Sequence, residues 1–446
     1  MQILAAKYLI PVASDPMTNG AIVIDDSRII DIGTRQKITS TYPDVSVDDH
    51  GEAAILPGFV NCHSHLEVTA LRGALDTVEN NFSEWLLKLT AMRASMSPED
   101  VEVSAMAGVA EGLRAGITCF GDIGRFGRAG SEAMRKAGVR GVLFQETEFS
   151  ADARSADVDL EKLLEKYYLL KQDASGLVEI GISPHSPYTV SGRLLEKLGR
   201  IAVDEFVKLS IHTAESRDEE ELLQKGTGFF RSIYEKYSVE WTSPLMSSVE
   251  YLYKTGVLRS RPQLVHCVTV SDDDLGMIAE SGSTVAHCPK SNAKLGHGSA
   301  PFEKMLDHGI SVGFGSDSVV SNNNCDLIEE ARFGALTARG RSGSARFLSA
   351  AEIIETVTLG GAKTLGLDDR IGSLEKGKQA DLAVVSLTGI SQQPISDVLS
   401  AILFSSSGRD VIATYIAGKA VFSNGELSTL DENELISRLQ KIAESL

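Results

Sequence analysis

Eight short apolar runs recur along the chain: Leu56–His65, Ile117–Asp122, Gly141–Thr147, Val178–His185, Val207–Glu215, Gln263–Cys267, Ser283–Pro289 and Ser311–Asp317. Each ends in a polar or Gly-rich stretch, and a longer pattern of helical period follows. The runs are almost continuously apolar rather than alternating, as expected of parallel strands covered on both faces. The stretches between them carry helix punctuation. Ser97-Pro98-Glu99-Asp100 combines a capping box with Pro at the first helical position, and Gly116 stands where that helix should stop. Ser271-Asp272-Asp273-Asp274 opens another helix, with Gly282 near its end, and Ser349-Ala350-Ala351-Glu352 opens a third. Strands and helices alternating over 57–367 predict an α/β fold, a (β/α)8 TIM barrel. An open doubly wound sheet is the alternative, but it normally uses fewer strands.

The flanks read differently. Residues 1–56 hold short β-rich pieces such as Gly20–Ile24 and Ile29–Ile32. Beyond 368 come Asp381–Ser386, Val411–Ile416 and Ala420–Phe422. Neither stretch has enough apolar residues for a core of its own. The two ends, 1–56 and 368–446, are therefore expected to meet as one small β-sandwich beside the barrel, with a terminal amphipathic helix over 431–446.

Composition narrows the partners. Hydrophobic residues at 43% and charged residues at 23% of 446 are ordinary for a globular chain. Against 61 Asp+Glu there are only 43 Lys+Arg, a formal charge of -18 that disfavours phosphate backbones, so no nucleic-acid partner is expected. Five Cys, an odd number without framework spacing, fit reduced thiols and a cytoplasmic location. The first residues lack a signal-peptide pattern, and no run reaches the ~18 apolar residues of a membrane span. A small-molecule substrate is the expected partner, and a homo-oligomer is allowed.

The candidate chemistry lies in nine histidines. His63, His65, His185, His212 and His266 fall at or near the C-terminal ends of predicted strands, the end where barrels build their active sites. In His63-Ser64-His65 two imidazoles two residues apart on a strand point the same way and suit a divalent metal. His212 adds a third imidazole with Glu215 just beyond it, and Asp317 adds a hard anionic ligand. Each alone also fits a bland role: a histidine satisfied by backbone, a loop carboxylate, a cap. Their coincidence at the ends of strands one, five and eight points to one metal site made of His63, His65, His212 and Asp317.

With these residues the chain resembles the amidohydrolase superfamily, in the branch of cytosine, adenosine, S-adenosylhomocysteine and guanine deaminases and triazine chlorohydrolases. The matching segments are Leu56-Pro57-Gly58-Phe59-Val60-Asn61-Cys62-His63-Ser64-His65, Ser183-Pro184-His185, His212-Thr213-Ala214-Glu215, Val265-His266-Cys267, His287-Cys288-Pro289-Lys290-Ser291-Asn292, Gly315-Ser316-Asp317 and Gly372-Ser373-Leu374-Glu375-Lys376-Gly377. The resemblance spans nearly the whole chain. It implies a metal-dependent hydrolytic deaminase of an amino-substituted aromatic heterocycle. One divalent ion per chain would be held, Zn2+ first, with Fe2+ or Mn2+ as alternatives. Glu215, His266 and Asp317 would be catalytic. Glu215 would shuttle a proton to the ring, His266 would contact the attacking hydroxide or the developing oxyanion, and His185 would touch substrate. Binuclear relatives carry a bridging Lys at the end of strand four. No Lys occurs here between Lys171 and Lys197, which fits a single ion.

The substrate is read from departures. S-adenosylhomocysteine-type members place a ribose-binding Glu nine residues after the Trp of Glu-Trp-Leu, where this chain has Ala94 after Trp85. They also carry a strand-three Arg, where Gln145-Glu146 stands. Trp85, Gln145 and Glu146 therefore join His185 as expected substrate contacts, and the pattern looks more like aminodeoxyfutalosine deaminases. The alternatives are a triazine-type chlorohydrolase or a deaminase of another purine, pterin or pyrimidine. Cys62, Cys267 and Cys288 are expected to face the helices as fillers. His50, His297 and His308 are expected at the surface or in structural roles, and His287 is either structural or near the pocket.

Overall fold

In a computed structural model, the structure describes residues 1–174, 176–343 and 345–445. Eight parallel strands form two four-stranded sheets. The first contains β1 (Phe59–Ser64), β2 (Ile117–Gly124), β3 (Arg140–Glu146) and β4 (Val178–Ser183). The second contains β5 (Ser210–Thr213), β6 (Gln263–His266), β7 (Thr284–His287) and β8 (Val312–Phe314). Single parallel bridges, Ile182 to Leu209 and Ser64 to Asp317, link the sheets at their two seams. The strand side chains are almost all buried, which explains the unbroken apolar runs in the sequence. Helices lie between the strands. Ser97, Ser271 and Ser349 each close a full capping box, and Gly282 ends its helix in the left-handed conformation.

The chain ends share one sheet of nine strands. Ala53–Pro57 pairs antiparallel with Leu382–Ser386 and joins the N-terminal strands to the C-terminal ones. A pair of facing sheets was expected; the hydrogen bonding instead makes one continuous sheet. The first apolar run also divides. Gly58 donates to Asp381 O, so Leu56 and Pro57 belong to the terminal sheet while Phe59 starts β1. Arg140, at the start of β3, ties this sheet to the parallel strands through Asp381, with Nε–Oδ2 2.7 Å and both side chains buried. The terminal helix forms over Glu432–Ser445; Leu446 of the expected span lies outside the described residues. Among the described residues no helix is long and apolar enough to cross a membrane.

Candidate active site

The C-terminal ends of the parallel strands bring the predicted residues together. His63 Nε2 lies 3.2 Å and His65 Nε2 3.5 Å from Asp317 Oδ1, and His65 Nε2 lies 3.3 Å from His212 Nε2. Local structure explains the convergence. β1 shifts register against β2 between Asn61 and Ser64, which departs from strict strand alternation just before the His-x-His end. Gly315 passes so close to His63 that an added Cβ would sit 2.7 Å from the His63 Cβ. Ala214, Asp317 and His266 have φ of 52, 54 and 73°, left-handed conformations uncommon for such residues and typical of functional turns.

The donor set fits a cation. His65 Nδ1 faces the Ile123 carbonyl at 3.1 Å, and His212 Nδ1 faces the His185 carbonyl at 2.9 Å. Carbonyls only accept, so both Nδ1 atoms carry hydrogen and, in neutral rings, both Nε2 atoms present lone pairs. Burial keeps the rings neutral: it pushes His212 well below the usual imidazole range and His65 down to about 4. These Nε2 atoms, 3.3 Å apart and beside a carboxylate, lie close enough with His63 to share one divalent ion. Burial would raise the Asp317 carboxyl, but the hydrogen bond of His63 counters it, and Asp317 is held well below the usual range. Its Oδ2 accepts from Ser291 Oγ at 2.6 Å and Ser321 Oγ at 2.9 Å, leaving Oδ1 toward the imidazoles.

Glu215 sits beside this cluster, fully enclosed, and burial raises its carboxyl above the ordinary value. Oε1 is 3.6 Å from His266 Nε2 and 3.6 Å from His297 Nε2. His266 is oriented by the Asn292 side chain, 2.9 Å from Nδ1. The pocket next to the cluster has a volume of about 90 Å³. It is lined by His65, His212, His266, Asp317 and Glu215, and also by Trp85, Glu146 and His185. Gln145 does not line it. Its side-chain amide donates to the Arg125 and Glu146 carbonyls and is wholly buried, so this expected substrate contact is displaced into the wall by its own hydrogen bonds.

Three buried residues escaped the sequence reading. Glu219 accepts from the backbone N–H of Ala214 at 2.8 Å and Glu215 at 2.9 Å, fixing the loop that carries Glu215. Its signal was present, because Ser216 and Glu219 have capping-box spacing directly after the His212 segment. Asp122 accepts from Leu66 N–H at 2.8 Å and Ser64 Oγ at 3.1 Å, bracing the turn after His65. His297, expected to be structural or on the surface, has a side chain only 5% exposed against Glu215. His287 packs its ring on Phe302 and Phe314 and does not line the pocket. Cys62 and Cys288 cluster with Val60, Val142, Val265 and Ala286 of four strands instead of facing helices alone. For Cys62, the register shift of β1 breaks the alternation on which that expectation stood.

Residues 54–421 match the model of the amidohydrolase family. This chain belongs to the amidohydrolase family. Along its length it is 32% identical over 444 residues to a 5-methylthioadenosine/S-adenosylhomocysteine deaminase of Thermodesulfovibrio yellowstonii, covering 98% of this chain and 96% of the relative. A zinc-bound adenosine deaminase of Xanthomonas campestris superposes with a TM-score of 0.88 at 26% identity, over 100% of this chain and 98% of that one. A zinc-complexed atrazine chlorohydrolase of Arthrobacter aurescens superposes with a TM-score of 0.86 over 99% and 100% of the two chains. At 21% identity that likeness shows the fold alone.

Proposed function

We propose that this amidohydrolase is a hydrolytic deaminase that releases ammonia from the ring of an adenine-type nucleoside. The observation that carries the reading is the meeting of three neutral imidazoles and Asp317 with an enclosed Glu215 in one pocket. Similarity over nearly the whole chain to a relative named as a deaminase supports it. His63, His65, His212 and Asp317 would hold one divalent ion, with Zn2+ favoured because the solved adenosine deaminase it resembles binds Zn. Such an ion makes hydroxide available at neutral pH.

The residues then divide the proton traffic. Of the two protons of the attacking water, one passes to Glu215; Asp317 accepts the other at Oδ1, while Ser291 and Ser321 hold Oδ2, and returns it to the amino nitrogen as the carbon–nitrogen bond breaks, so that the group leaves as ammonia. Glu215 delivers a proton to the ring nitrogen next to the amino-bearing carbon, which prevents negative charge from building on the ring. His266 stands opposite Glu215 and stabilises the oxygen that becomes the product carbonyl. His185, with Nδ1 held 2.7 Å from Thr189 Oγ1, meets the substrate beyond the ring, with Trp85 and Glu146. The same reading takes the eight strands as a closed barrel over 57–367, supported by the bridges at both seams. The ends, 1–56 and 368–446, form the small β domain.

The test is ammonia release across adenine nucleosides, other aminopurines, pterins, pyrimidines and chlorotriazines. Turnover of adenine nucleosides is expected. Dechlorination exceeding every deamination would overturn the reading.

A further inference from the structure

Glu219 anchors the backbone of Glu215, but the direction of the Glu215 carboxylate is left to the side chains around it. Two imidazoles straddle its Oε1, with His266 Nε2 and His297 Nε2 each 3.6 Å away. A single residue sets both rings. The side-chain oxygen of Asn292 lies 2.9 Å from His266 Nδ1, and the Asn292 carbonyl accepts from the His297 backbone N–H at 2.8 Å. The His297 ring then packs edge-on against Phe82, with ring centroids 4.6 Å apart.

The two imidazoles are not equivalent. His266 lines the pocket, and its Nε2 serves the reacting oxygen in the mechanism above. His297 does not line the pocket. Its side chain is 5% exposed, and its Nε2 is buried without a hydrogen-bond partner. Burial keeps this ring neutral, with its pKa down to about 4, and a neutral imidazole carries its hydrogen on one nitrogen or the other. A buried polar atom without a partner is unfavourable, and the acceptor in front of Nε2 is Glu215 Oε1. The separation of 3.6 Å is longer than a hydrogen bond. Contacts between catalytic groups are commonly long before substrate binds and tighten with it.

We propose that His297 is a positioning residue for proton transfer: with hydrogen on Nε2 it donates to Glu215 Oε1 and holds that oxygen between the two imidazoles. The other carboxylate oxygen is then left to take a proton from the attacking water and pass it to the ring nitrogen. The inference deepens the deaminase reading above and rests on it. A carboxylate free to rotate presents the proton in only a fraction of its orientations, whereas one fixed by a donor is aimed before substrate arrives. His297 acts through Glu215 and touches no reacting atom, so its loss belongs in kcat more than in KM.

The experiment is a double-substitution cycle on the metal-loaded full chain, read as kcat and KM for ammonia release from adenosine and 5′-methylthioadenosine. Metal content and melting temperature are measured alongside. His297→Leu removes the donor and is expected to lower kcat by ~10–100-fold, the scale of a hydrogen bond to a charged group, with KM little changed. In the Glu215→Gln background the same change should lower kcat by less than ~2-fold, because no proton carrier remains to be aimed. His297→Gln, whose amide N–H can stand near the position of Nε2, should restore most of kcat. If His297 only packed against Phe82, Leu would be tolerated better than Gln. Heteronuclear spectra of the protein labelled at histidine should show hydrogen on His297 Nε2 and a shift of that resonance in Glu215→Gln. These spectra decide the matter if the Leu variant does not fold. Equal losses from His297→Leu in both backgrounds, no rescue by Gln, or a bare Nε2 in the spectra would overturn the positioning role while leaving the deaminase reading intact. No ammonia from any nucleoside with the parent protein would instead overturn the deaminase reading, and this inference with it.

Discussion

Replacing Glu215 by Gln tests the proton path most directly. The substitution keeps the side-chain shape and removes only the ability to take and give a proton. The backbone N–H of residue 215 would still donate to Glu219 Oε2, at 2.9 Å in the present structure, so the loop should hold its place. The side chain would still face His266 and His297, each now 3.6 Å from Oε1. Glu215 also stands outside the groups of ligand atoms close enough to share an ion, so the metal should remain. What is lost is general acid–base assistance, typically 10²–10⁴-fold, or ~3–5 kcal/mol of barrier. The assay is single-turnover and steady-state ammonia release on the metal-loaded variant, with metal content and melting temperature measured alongside. The expected result is a fall in kcat of that size with metal content and melting temperature preserved. A kcat within a few-fold of the parent would remove Glu215 from the mechanism. Joint loss of metal and activity would make it a ligand instead.

Three further outcomes follow from the same geometry. Active protein should contain one transition-metal ion per chain, and His63→Ala or Asp317→Ala should abolish turnover while far-ultraviolet circular dichroism stays native; elemental analysis giving none or two ions would refute this. Asp381→Ala strands the buried Arg140 guanidinium and should cost ~3–5 kcal/mol in urea unfolding, with little change in KM; a loss below 1 kcal/mol would show that the pair contributes little. Burial pushes the Glu219 carboxyl up to about 7, so its contribution to stability is present below the ordinary carboxyl range and is lost as pH rises through about 7. The stability gap between parent and Glu219→Gln should therefore narrow by ~1–3 kcal/mol from pH 5 to pH 8.5, and a constant gap would refute the protonated, buried state.

The parallel strands were legible because burial on both faces leaves an unbroken apolar run, and each of the eight runs contains one parallel strand. The convergence of the candidate ligands was legible for a related reason. Strand ends fix the direction of a side chain, so His63, His65, His212 and Asp317 could be placed by position alone. Legibility failed where tertiary hydrogen bonds decide. Nothing in Leu56-Pro57-Gly58 announces that the chain changes sheets there; the change depends on Asp381, more than three hundred residues away. Gln145 sat at a strand end like the true pocket residues, yet two backbone carbonyls claim its amide. His297 follows a short helix, where sequence fixes no direction; its N–H donates to Asn292 O at 2.8 Å and its ring packs edge-on against Phe82 beside Glu215.

The residues whose role the sequence did not reveal are mostly those that hold others. Asp122 braces the turn after His65, Glu219 braces the loop of Glu215, and Ser291 and Ser321 orient Asp317. Each satisfies a backbone or carboxylate group that would otherwise be buried without a partner, at about 1–3 kcal/mol apiece. Glu219 also binds the backbone of Ala214, one of the non-glycine residues in a left-handed conformation at the site. A cation held by His63, His65, His212 and Asp317 would tie the ends of strands one, five and eight together, so binding the ion and stabilising the strand ends should be one event. Pocket order in this fold is therefore best understood as a property of the supporting carboxylates and hydroxyls as much as of the ligands they aim.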